Sequence, residues 1–148
     1  MRLLLQRVNS ASVEVDGNLV SSINTGLLCY VGFSISDTEE DIDYIVDKTI
    51  SLRVFSNNDG KFDISVADYP GEILLISQFT LYADIKKGRR PSFTEAMGIE
   101  EARAMFDNTV EKFKQKEINI SAGIFQAHMN IKSINDGPVT IIIDSIKK

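Results

Sequence analysis

Asn135-Asp136-Gly137-Pro138-Val139-Thr140 sets a turn tripeptide and a proline directly against a run of strand-forming residues. Asn and Asp accept left-handed backbone and bond their own main chain, Gly accepts positive φ, and Pro fixes φ at about −65° while removing a donor. Val139, Thr140, Ile141, Ile142 and Ile143 are β-branched throughout and start a strand. Two readings of the six residues stand open here. One is a hairpin turn that contains proline; the other is a rigid backbone wedge that presents main-chain groups to a ligand. Nothing inside the hexapeptide separates them.

Outward from this stretch the chain reads as sheet. Residues 127–134 precede it as a strand and 139–146 follow it, with a short strand at 118–120. At the other end, residues 3–8 and 11–15 read as two strands, and Asp16-Gly17 is a tight-turn signal before a third at 19–23. The run at 27–33 is apolar at every position, as a central strand covered on both faces requires. Asp37 followed by Glu40 resembles a capping box, and Ile42, Ile45, Val46, Thr49 and Ile50 repeat at helical spacing, which predicts a helix over 38–51. Ile99, Ala102, Phe106, Val110 and Phe113 predict a second amphipathic helix ending near Lys116. Between the helices, 53–55 and 62–66 flank the loop signal Ser56-Asn57-Asn58-Asp59-Gly60, and 72–82 reads as one long strand. The expected fold is α+β: one domain over 1–148, a mostly antiparallel sheet curled toward a barrel, and two amphipathic helices.

Composition narrows the function classes. A chain of 148 residues, 43% hydrophobic and 25% charged, is of a size and make-up to fold around a core of its own. The first residues turn polar too soon for a secretory signal, and no apolar run approaches the roughly 20 residues that cross a bilayer, so a soluble, cytoplasmic protein is expected. One cysteine, Cys29, and one histidine, His128, argue against a transition-metal site, and no cofactor is expected. With 16 basic and 21 acidic residues the net charge is −5, against coating by nucleic acid over the whole surface. A local cationic patch remains at Lys86-Lys87-Gly88-Arg89-Arg90-Pro91. It suits phosphate contacts, because arginine forks bidentately and a short loop loses little entropy, but it also suits a solvated loop that guards a sheet edge.

Ser77-Gln78-Phe79-Thr80 places hydroxyl, amide, ring and hydroxyl at the end of an apolar strand. Strand alternation sends Ser77 and Phe79 to one face, Gln78 and Thr80 to the other. A hydroxyl nucleophile needs a base and a group that orients the base, and His128 is the single imidazole available. Ordinary cross-strand hydrogen bonding is the plainer reading of both hydroxyls.

Taken in order, Gln6-Arg7-Val8, Val13-Glu14-Val15-Asp16-Gly17, Gly26-Leu27-Leu28, Ser77-Gln78-Phe79-Thr80-Leu81, Lys87-Gly88-Arg89-Arg90-Pro91-Ser92-Phe93, Gly123 with Phe125 and Met129, and the opening hexapeptide are similar to the D-aminoacyl-tRNA deacylase family, also called D-tyrosyl-tRNA deacylases. The resemblance runs over essentially the whole chain. It implies hydrolysis of the ester joining a D-amino acid to the terminal ribose of tRNA, with glycine cleared from mischarged tRNA as well. It also implies a homodimer in which a cis Gly137-Pro138 peptide enters the partner's active site and excludes L side chains by a built clash. Under it, Ser77, Gln78, Phe79 and Thr80 line the pocket, with amides near Phe79 and Thr80 steadying the oxyanion and the substrate's own ribose hydroxyl assisting. Arg7 braces the Gly-Pro segment, Phe125 and Met129 pack beside the terminal adenosine, and Lys86, Lys87, Arg89 and Arg90 contact the RNA. The chain departs from the family pattern at Gln126, where a small residue is common, and His128 stands at a variable position.

A non-enzymatic RNA-binding β-domain dimer is the alternative from another class. A third reading, a small-ester hydrolase with a hydroxyl nucleophile, requires that Thr80→Ala and His128→Ala each abolish turnover.

Overall fold

The structure, a computed structural model, describes residues 1–147. Its frame is strand β1 (Arg2–Val15), which runs without interruption where two strands were predicted. Leu3, Leu5, Val8, Ala11 and Val13 along it are all buried. One edge of β1 pairs antiparallel with β8 (Asn130–Asp144) from Arg2↔Asp144 to Glu14↔Asn130. The other edge is shared: residues 2–8 pair with β3 (Gly26–Gly32) and residues 11–15 with β2 (Asn18–Ile23). Asp16 and Gly17, at φ 50° and 79°, make the predicted tight turn into β2.

From β3 the sheet continues through β6 (Glu72–Ser77) to β7 (Asn119–Ala122), and both of these pairings are parallel. Parallel neighbours need long crossovers, and each has one here. Helix α1 (Glu39–Ser51) and the small hairpin β4 (Arg53–Ser56) and β5 (Phe62–Ser65) lie between β3 and β6; helix α2 (Ile99–Lys114) lies between β6 and β7. The sheet is therefore mixed, with its antiparallel pairs around β1. Ser21 Oγ on β2 donates to the Ala122 carbonyl on β7 at 3.0 Å, so the two ends of the strand order meet and the sheet curls as expected.

Both faces of the sheet are apolar. Leu5, Leu27, Cys29, Ile73 and Leu75 meet Ile42, Ile45, Phe106 and Phe113 of the helices, while Val8, Leu28, Leu74 and Ile76 form a second core inside the curl. Cys29 is fully buried, and burial pushes its thiol far above the range in which thiolate forms near neutrality. The helices are tied at the surface by Lys116 to Asp47 at 2.9 Å and by Lys112 to Asp43. No helix among the described residues is long and apolar enough to cross a membrane.

Three local expectations are corrected. Helix α1 is capped one residue later than predicted: Thr38 N–H donates to Asp41 Oδ2 at 2.9 Å, because Asp37 is occupied in accepting from the Ser34 amide at 2.7 Å. The strand predicted over 72–82 stops at Ser77, and Phe79–Tyr82 is a single 3-10 turn. The opening hexapeptide is not a hairpin, since the segments on either side pair with the same strand rather than with each other. It is an excursion within β8: Val8↔Asn135 and Gln6↔Thr140 are partners, so four residues of β8 stand opposite Arg7 alone.

Candidate active site

The end of β6 is shaped by a missing side chain on its neighbour. Ser77 still pairs with Val31, and the Gln78 amide donates to the Val31 carbonyl at 2.7 Å. A Cβ on Gly32 would then lie 2.8 Å from the Gln78 carbonyl oxygen and 3.1 Å from Leu81 Cβ. Glycine at that position lets the chain fold over β3 and turn. Leu81 and Ala83 amides close the turn on the Gln78 and Thr80 carbonyls at 3.3 and 3.1 Å. The amides of Phe79 and Thr80 precede them, in the first turn, where a helix has no carbonyl of its own to offer.

The turn overrides strand alternation. Ser77, Gln78 and Phe79 all line one cleft of about 570 Å³, whereas Thr80 is exposed and not among the lining residues. The Thr80 hydroxyl accepts from the Gln78 side-chain amide, which cannot act as its base.

Facing this wall are Phe125 and Met129. Gly123 makes room for the latter, because a Cβ there would sit 2.6 Å from Met129 Sδ and 3.1 Å from Ile76 Cδ1. Phe125 leans on Phe106 of α2, ring centroids 5.9 Å apart. Gln126 and the exposed His128 reach the same cleft, and Gln126 takes φ 67°, a left-handed backbone for which glycine is the easier residue. The third wall, around Met97, escaped the sequence reading. Between Pro91 and α2 no periodicity marks it; the Met97 amide reaches the Phe33 carbonyl at 3.0 Å and folds it inward.

The basic loop hangs from this rim. Asp84 and Ser92 exchange both backbone bonds, at 2.7 and 2.9 Å, and Phe93 meets Phe79 edge-on at 4.9 Å. Lys86, Lys87, Arg89 and Arg90 are exposed on the loop, and among the described residues none of them pairs with a carboxylate.

The β8 excursion lies elsewhere. Gly137 (φ 120°) and Pro138, joined by a cis bond, are exposed at its tip. Asn135 closes its base, its Oδ1 accepting from the Val139 amide at 3.1 Å and its Nδ2 donating to Thr140 Oγ1 at 3.2 Å. Arg7 holds it from below and is only 8% exposed. Its Nε lies 2.8 Å from Asp136 Oδ2, off the N–H line and so a Coulombic contact, while Nη1 donates to the Val54 carbonyl at 2.6 Å. The Phe62 ring lies 5.4 Å from the guanidinium carbon. Neither Arg7, Gly137 nor Pro138 lines the cleft of its own chain.

The family profile described as D-Tyr-tRNA(Tyr) deacylase matches residues 4–144. A D-aminoacyl-tRNA deacylase of Clostridium botulinum strain Eklund 17B is 51% identical over 147 residues, covering 99% of each chain. Its counterpart in Aquifex aeolicus is 51% identical over 145 residues, covering 98% of each. Among solved structures, one titled c-Myc DNA Unwinding Element Binding Protein superposes with a TM-score of 0.92 at 39% identity over 97% of this chain and 98% of its own. A probable eukaryotic D-amino acid tRNA deacylase shares the fold at a TM-score of 0.85 and 16% identity, covering 96% and 97%. With a profile spanning nearly the whole chain and relatives half identical from end to end, the chain belongs to the D-Tyr-tRNA(Tyr) deacylase family, and with it to the hydrolases that act on D-aminoacyl-tRNA.

Proposed function

We propose that the chain hydrolyses the ester between a D-amino acid, or glycine, and the terminal ribose of tRNA, and that it rejects L-amino acids by backbone occlusion. The observation that carries this reading is a division of labour. The cleft is lined by the polar strand end Ser77-Gln78-Phe79, at the start of the Phe79–Tyr82 turn, while the braced Gly137-Pro138 tip is exposed and does not line it. A second copy of the chain would supply the tip to the cleft, where its carbonyls fill the volume that an L side chain needs. A D side chain points elsewhere, and glycine has none.

In the reaction, water attacks the ester carbonyl and the acyl–oxygen bond breaks. The ribose oxygen leaves with a proton, and the free amino acid keeps the incoming hydroxyl. The Phe79 and Thr80 amides steady the oxyanion. The vicinal ribose hydroxyl assists, so no side-chain nucleophile is required. Phe125 and Met129 pack beside the terminal adenosine, and Lys86, Lys87, Arg89 and Arg90 meet phosphates further along the RNA.

Incubation with D-tyrosyl-tRNA should release free D-tyrosine, and absence of release would overturn the deacylase reading. Thr80→Ala should retain turnover within about 10-fold, since amide and substrate assistance survive the change. Abolition of turnover by Thr80→Ala and His128→Ala alike would instead establish a hydroxyl nucleophile.

A further inference from the structure

Arg103 is a cation that none of the roles above uses. It stands on α2 with Glu100 three residues before it and Asp107 four after, spacings at which a surface arginine commonly finds a carboxylate. It pairs with neither, nor with any other carboxylate among the described residues. Its guanidinium lies over the Phe125 ring instead, 4.8 Å from the centroid, and Nη2 donates to Gln126 Oε1 at 3.3 Å. Both of those residues line the cleft.

Phe125 thus has the buried Phe106 and the exposed Arg103 as neighbours from one helix, one turn apart. Among the described residues a neutral amide and a ring face leave the cation uncompensated, and one of its five N–H donors is used. A charge held at the rim of an apolar cleft, in a protein of net charge −5, is placed for an anion that approaches the rim.

We infer that Arg103 contacts the phosphodiester that joins the terminal nucleoside of the substrate to the rest of the RNA. The inference rests on the deacylase reading. Arg103 lies over the same Phe125 against which the terminal adenosine is proposed to pack, so a phosphodiester on that nucleoside falls within reach of the rim that Arg103 occupies. The planar guanidinium fork suits phosphate oxygens there.

The experiment compares three esters of D-tyrosine: the full tRNA, cytidylyl-adenosine with its single phosphodiester, and adenosine with none. Arg103→Gln is expected to lower kcat/KM about 10-fold on the first two, mainly through KM, and to leave the adenosine ester unchanged, the size of a lost charge-assisted hydrogen bond. Arg103→Lys should recover part of the loss on the phosphate-bearing substrates alone. Equal loss on all three would make Arg103 only a support for Phe125, and no loss on any would remove it from the site; either result overturns the inference. Wild-type protein inactive on every D-ester would be a different failure, that of the deacylase reading, and would take this inference with it.

Discussion

Arg7→Ala should lower stability by about 2–3 kcal/mol and raise turnover of L-aminoacyl-tRNA relative to D by about 10-fold or more. The stability loss follows from burial. Arg7 is 8% exposed, and its removal leaves the Val54 carbonyl without its donor, Phe62 without its cation and Asp136 without its counter-charge. Asp136 is 40% exposed, so water compensates most of its share; the Val54 carbonyl and the emptied space carry the cost. Discrimination falls for a separate reason. Four residues of β8 stand opposite Arg7, and its guanidinium ties the Asp136 side of that excursion to β1 and to the β4–β5 hairpin. Arg7→Lys keeps the charge but not the fork, and should give an intermediate value of both quantities. Urea midpoints read the first, and the D/L ratio of deacylation reads the second. A destabilised variant with unaltered discrimination would separate Arg7 from the rejection proposed for the tip.

Gly32→Ala should lower kcat/KM for D-aminoacyl-tRNA by about 100-fold in a protein that still folds. The added Cβ would lie 2.8 Å from a main-chain oxygen, that of Gln78, and 3.1 Å from Leu81 Cβ. A backbone oxygen cannot step aside by changing rotamer, so the turn at Phe79–Tyr82 must move, and with it the amides of Phe79 and Thr80. Overpacking of this kind costs about 1–3 kcal/mol, less than a domain's total stability, whereas displacement of an oxyanion donor by about 1 Å is worth far more to the reaction. Circular dichroism should match the parent protein. Activity within about threefold of the parent would show that these amides do not carry the chemistry.

The fold was legible wherever a period or a turn residue marked it. Ile42, Ile45 and Val46 gave α1, Phe106 and Phe113 gave α2, and Asp16-Gly17 gave the first turn. The unbroken apolar run at 27–33 gave a central strand, and the two cores on either side of β3 explain why. Continuity across polar residues was not legible. Asn9 and Ser10 look like a break, yet β1 runs through them because β8 pairs on both sides of Asn9, at Val8 and at Ser10. The hexapeptide was misread as a possible hairpin for the same reason: local turn chemistry cannot report that both flanks pair with β1. Parallel pairing of β3, β6 and β7 likewise depends on crossovers that place α1 and α2, which no single segment encodes.

The site was legible in part. Ser77, Gln78 and Phe79 do meet Phe125 and Met129 in one cleft, while Thr80 faces away and Arg7, Gly137 and Pro138 gather separately. Alternation misplaced Gln78 because it assumed that the strand continued past Ser77. The glycine that ends it, Gly32, lies on another strand and could be found only in three dimensions.

On the function proposed above, the cleft distinguishes amino acids by handedness. The most direct measurement is the deacylation rate of D-tyrosyl-tRNA and L-tyrosyl-tRNA by one preparation of the wild-type protein under single-turnover conditions. The expected result is rapid release of D-tyrosine with L-tyrosyl-tRNA hydrolysed no faster than in buffer; equal release of both would contradict the account.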